Sequence, residues 1–159
     1  MRRILEIVSL AALGILWAIT WLSFHGQSPL PASIPTHFNA AGQPDAWGPP
    51  SALYLLPAVA LGLYLLISLL SRLPVSFRSS ARITEQGRQQ IETITRTMVA
   101  SLKAELTVLF ATIQGFILQG IQTGHAGLPP LLVPAFLAVL FATLIAYIVA
   151  MLRAAWAMR

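Results

Sequence analysis

Neither residues 4–71 nor residues 104–152 contain a lysine or an arginine. All ten basic residues fall at positions 2–3, within 72–103, or at positions 153 and 159. Long uncharged stretches with cations only at their flanks are the pattern of the positive-inside rule, in which Lys and Arg stay on the cytoplasmic side of a bilayer. Composition agrees. Only 9% of residues are charged and 57% are hydrophobic, with mean hydropathy +0.75, whereas an average soluble domain is about 25% charged. So few charges cannot coat a water-soluble globule, and the bilayer is the expected solvent. The net charge of +5 therefore does not indicate nucleic acid, which would need a basic groove or face. Cysteine is absent, which excludes disulfides, thiolate metal sites and cysteine nucleophiles.

Four apolar runs are long enough to cross about 30 Å of hydrocarbon, for which a helix needs about 20 residues. Residues 4–24 form the first. Arg2 and Arg3 resemble the charged start of a signal peptide, but the apolar run is too long and has no small-x-small cleavage site, so a retained helix is expected. Trp17, Trp21 and Phe24 lie toward its outer end as an aromatic belt, and Glu6 is expected to pair with Arg2 and Arg3 in the first turn. Residues 52–70 make the second span, ending at Arg72, and residues 104–122 and 131–152 make the third and fourth. Pro74 marks a connection over 71–80. Beyond it Ile83, Ile91, Ile94, Met98 and Leu102 recur at helical spacing, as in an amphipathic helix that runs into span three. The expected fold is an all-α integral membrane protein with four transmembrane helices and both termini cytoplasmic. The expected division is a helical hairpin over 1–72 with an ordered outer loop at 25–51, a cytoplasmic basic segment at 73–103, and a second transmembrane hairpin over 104–159.

The outer loop concentrates His37, Phe38, Asn39, Gly42, Asp45, Trp47 and Gly48 between prolines. Asn39 followed by Gly42, and Pro44-Asp45 followed by Gly48, read as turn chemistry, with Asx side chains capping backbone N–H groups and glycine taking positive φ. An ordered lid explains most of these residues. All three histidines, together with Asp45, belong to the outer side, so His37, Asp45 and His125 are the residues a metal would take. No HExxH-like spacing supports a metal, and no activated serine or oxyanion device accompanies the His and Asp. Neither an enzyme nor a cofactor is expected. In span three, Glu105, Thr112, Gly115, Gln119 and Gln122 fall on one helix face and are expected to face protein, as a polar packing stripe or the lining of a polar path.

The run Ile34-Pro35-Thr36-His37-Phe38-Asn39-Ala40-Ala41-Gly42-Gln43-Pro44-Asp45-Ala46-Trp47-Gly48 resembles the signature IPxHFNxxGxxDxxG of a bacterial domain of unknown function, found at the start of SdpI-type immunity and signalling membrane proteins. The resemblance covers roughly residues 1–72. This chain departs from the pattern at Pro49-Pro50, where Ser or Lys is common. The resemblance implies a bacterial plasma-membrane protein that protects against a secreted toxic peptide and relays its presence to a cytoplasmic partner.

Three readings follow. In the first, the chain is a non-enzymatic multi-pass protein, free or oligomeric in the lipid bilayer, whose outer loop recognises a secreted peptide or an envelope component and whose basic segment meets a cytoplasmic protein. The second is a small transporter or accessory subunit using the polar face of span three. The third is a metal-binding membrane protein.

Overall fold

The computed structural model describes residues 1–26, 29–72 and 85–156. Pro74, Ile83 and Arg159, on which parts of the sequence reading rest, lie outside the described residues. Four helices dominate: α1 (Arg2–His25), α2 (Leu55–Leu70), α3 (Glu85–Thr123) and α4 (Leu132–Trp156). A 3-10 turn (Pro50–Tyr54) leads into α2, so the second apolar rod runs from Pro50 to Leu70. Each of the four is long and apolar enough to cross a membrane. They form because uninterrupted apolar runs must satisfy every backbone group internally once water is removed, which a helix does. Their few hydroxyls do not compete with this. Ser9, Thr20, Thr107 and Thr112 each bond a carbonyl one turn back, at 2.8–3.0 Å.

α3 is the axis of the bundle. Its 39 residues span about 58 Å at 1.5 Å per residue, nearly twice a hydrocarbon core. It runs unbroken from the charged segment into the third span. α1 lies along it through a stripe of Ser9, Ala12, Leu13, Leu16 and Thr20, all buried. Leu13 and Leu16 close with Ala60 of α2 around Tyr64, Phe110 and Ala111. α4 touches chiefly α3, and only Ala154 of its residues is buried. Phe141 and Ile145, more than half exposed, belong to its free apolar face, which suits lipid.

Inter-helix contacts fix the directions. Glu6 and Thr20 of α1 meet Lys103 and Gln114 of α3 in the same order, so these two helices run parallel. Leu53 and Ser68 at the two ends of the second rod meet Gln114 and Lys103, so that rod is antiparallel to α3. Thr95, Ser101 and Glu105 meet Met151, Tyr147 and Thr143, so α4 is antiparallel too. The start of α1 and the end of α4 therefore share one end of the bundle, together with Arg72 and Arg96.

At the other end the sequence expectation needs correcting. The segment between α1 and α2 is not only loop and turn: it holds an antiparallel hairpin of β1 (Ile34–Phe38) and β2 (Pro44–Gly48). Pro44-Asp45 and Gly48, expected as a second turn, lie in β2. Strand chemistry prevails because the two strands are irregular and short. Register shifts flank His37, and Pro35 faces Trp47 while Phe38 faces Pro44, so the N–H groups that proline lacks fall where the ladder is already interrupted. A lone two-stranded hairpin is marginal in water. This one is held by docking: Ile34, 1% exposed, enters a cluster with Leu53, Ile117 and Leu118, and Phe38 packs against it. Burying a side chain the size of Ile34 contributes about 1.5–3 kcal/mol.

Candidate functional site

The hairpin tip is built by Asn39. Its side-chain Oδ1 accepts from the backbone N–H of Ala41 at 2.9 Å and of Gln43 at 3.0 Å, and its carbonyl accepts from Gly42 N–H at 2.9 Å. This closed turn needs a left-handed residue, and Gly42 supplies it at φ +74°. Gly42 also touches the α3–α4 connection. Its carbonyl accepts from Leu128 N–H at 2.8 Å, and a Cβ there would lie 2.0 Å from the Leu128 carbonyl oxygen. The hairpin tip and the α3–α4 turn are thereby one surface.

His37 and Asp45 meet across the strands, His37 Nδ1–H donating to Asp45 Oδ1. Both side chains are exposed, at 70% and 42%. Trp47 is exposed as well, whereas Phe38 is half-buried against the bundle. Gly48 faces Ile34, and a Cβ on it would come within 2.9 Å of the Thr36 methyl. His125 does not join His37 and Asp45 in a ligand set: it donates to Thr123 O at 2.9 Å. Among the described residues no group of three His, Cys, Asp or Glu is placed to hold a metal.

The polar stripe assigned to span three is divided. Glu105 Oε1 accepts from Thr143 Oγ1 of α4 at 2.6 Å. Thr112 is bonded within its own helix. A Cβ on Gly115 would meet nothing within 4 Å, and Gln119 and Gln122 are exposed. The deeper polar groups of α3 lie on another face, at Lys103, Thr107 and Gln114, with 3%, 2% and 0% exposure. Their spacing of four and seven was legible in the sequence, but nothing there indicated what they would meet.

Gln114 joins three elements. Its amide N–H groups donate to Thr20 Oγ1 of α1 at 2.9 Å and to Leu53 O, before α2, at 3.1 Å. Thr20 gives its own proton to Leu16 O, and Leu53 O only accepts, so the nitrogen of the amide must face both. Gln114 Oε1 is left buried without a partner. The residue Gln114 borders a cleft of about 230 Å³ beneath β1, walled also by His37, Phe38, Leu53, Ile113 and Ile117.

Lys103 is the second bridge, and it corrects the expected pairing of Glu6 with Arg2 and Arg3. Lys103 Nζ donates to both Glu6 oxygens at 2.9 and 2.7 Å and to Ser68 Oγ at 3.0 Å, and lies 4.4 Å from the centre of the Tyr64 ring. A lysine side chain that is only 4% exposed must be paired, and Glu6 is the carboxylate that reaches it.

Residues 10–61, which take in most of α1, the whole hairpin and the start of α2, match a domain of unknown function, DUF1648. An uncharacterized protein of Archaeoglobus fulgidus is 42% identical over 52 residues, a match that spans 33% of this chain and 27% of that relative. No solved structure matches. The matched segment includes every residue of the hairpin, while the bridge residues Lys103 and Gln114 lie outside it. The multi-pass membrane architecture and the likeness to a domain of unknown function are therefore in accord with the sequence reading.

Proposed function

We propose that this chain is a non-enzymatic multi-pass membrane protein whose hairpin recognises a secreted peptide or another envelope component on the outer side, opposite the lysines and arginines. The reading rests on one observation: the cleft under β1 has apolar walls and borders Gln114, whose carbonyl is buried without a partner. A peptide supplies what such a cleft takes, an apolar side chain together with an N–H donor. Gln114 already ties α1 and the start of α2 to α3, so an occupant that bonds Gln114 biases how three helices sit together. α3 is continuous to Glu85, and a shift at Gln114 reaches its charged end, where a cytoplasmic protein would read it. Such coupling requires only that the occupant bind one arrangement of the bundle better than the other. The resemblance to SdpI-type immunity proteins favours a toxic peptide as the ligand.

The test is a deletion strain challenged with a panel of antimicrobial peptides and complemented with wild type, His37→Ala or Gln114→Leu. Increased sensitivity to at least one peptide, restored by wild type and not by Gln114→Leu, is the expected result. Unchanged sensitivity on deletion across the panel would remove the basis for an immunity role.

A further inference from the structure

We propose that the groove at the charged end of the bundle, opposite the hairpin, binds the phosphate of an anionic phospholipid headgroup. The groove has a volume of about 340 Å³ and lies between α1, α2 and α3, with Arg2, Arg72, Arg96, Glu6, Ser68 and Lys103 on its walls and floor. A water molecule takes up about 30 Å³, so there is room for a phosphodiester.

Its floor is already neutral. Lys103 is held by Glu6 and Ser68, and Arg96 is held by Glu92 at 2.6 Å. The rim is not. Arg2 and Arg72 are exposed, and neither has a carboxylate partner among the described residues. Nor does the sequence offer one nearby, since residues 73–84 contain no acid. Among the described residues, two guanidiniums without a carboxylate partner therefore face a groove whose one carboxylate, Glu6, is committed to Lys103. Guanidinium matches phosphate oxygens in two-pronged fashion.

Depth selects the lipid as the source. Arg2 stands where the apolar run of α1 begins, and Arg72 where that of α2 ends. This is headgroup level for a spanning helix. Exposed apolar side chains continue from the groove along α2, where Leu65 on its wall and Leu69 one turn away are 57% and 61% exposed. A phosphate in the groove thus has its acyl chains directed along lipid-facing surface, which a free phosphate ion does not use.

The experiment is native mass spectrometry of the full chain released from nanodiscs of equal phosphatidylglycerol and phosphatidylcholine. The chain is expected to retain phosphatidylglycerol in preference to phosphatidylcholine. Arg2→Gln and Arg72→Gln should each cut that preference about fivefold, the equivalent of ~1 kcal/mol per arginine near a membrane surface. Arg88→Gln, exposed on α3 beside Glu85 and away from the groove, should leave it unchanged. Millimolar inorganic phosphate should not displace the lipid. Equal retention of the two lipids, or an unchanged preference in the Arg2→Gln/Arg72→Gln double variant, would overturn the proposal. Displacement by inorganic phosphate would assign the groove to the soluble ion and overturn the lipid.

Discussion

Gly42 is the residue on which hairpin and bundle agree most narrowly. It combines a left-handed backbone with contact between its own α-carbon and Leu128. Gly42→Ala is expected to lower stability by about 1–3 kcal/mol from backbone conformation alone, with more from the clash, and thermal unfolding followed by tryptophan fluorescence measures it. Asn39→Ala removes the acceptor of two backbone N–H bonds and should cost about 1–3 kcal/mol in the same assay. His37→Ala should behave differently. Its bond to Asp45 is solvent-exposed, and such pairs contribute about 0–1 kcal/mol. A lost biological response in His37→Ala with an almost unchanged unfolding temperature would assign His37 to recognition, whereas a fall as large as that of Gly42→Ala would make it a structural pin.

The helices were the legible elements. Apolar runs at 4–24, 52–70 and 104–122 sit within the spans Arg2–His25, Pro50–Leu70 and Glu85–Thr123, and the run at 131–152 starts one residue ahead of the span Leu132–Trp156, because bilayer thickness sets a length that composition alone reports. The hairpin was not legible, since each strand is five residues long, contains a proline and is stabilised by what Ile34 and Phe38 dock against. The turn at Asn39–Gly42 was readable because it is local chemistry. The bridges were not, because Glu6 and Lys103 stand 97 positions apart. Glu105 belongs with these: its contact with α4 depends on Thr143 arriving opposite it.

Two predictions concern how elements are joined. Glu6→Leu leaves Lys103 buried and unpaired. Removing one partner of a buried pair costs about 3–5 kcal/mol, and the partial exposure of Glu6 places this at the low end. Glu6→Leu combined with Lys103→Met should recover most of the loss, since apolar replacement of both partners is often neutral. Equal unfolding temperatures for the single and double variants would mean that the pair does not join α1 to α3. Thr143→Val takes the hydroxyl donor from Glu105 and leaves that carboxylate with neither oxygen bonded. It is expected to loosen α4, the helix with the least buried surface, and to raise the cleavage rate of α4 in limited proteolysis.

At the scale of the whole molecule, the structure separates two ends. One holds the hairpin, the α3–α4 turn and the cleft under Gln114. The other holds Lys103, the charged start of α3 and the arginines at the helix ends. Charge placement alone gives the expectation that these ends lie on opposite sides of a membrane, and both the proposed recognition role of the hairpin and the proposed passage of a signal along α3 depend on it. The chain has no cysteine, so single cysteines can be placed without background. Ala41 at the hairpin tip and Gln90 on α3 are both exposed. The deciding measurement is labelling of Ala41→Cys and Gln90→Cys in intact cells with a membrane-impermeant maleimide. Labelling of Ala41→Cys in intact cells, with Gln90→Cys protected until lysis, is the predicted result. The reverse pattern, or equal labelling at both positions, would contradict it.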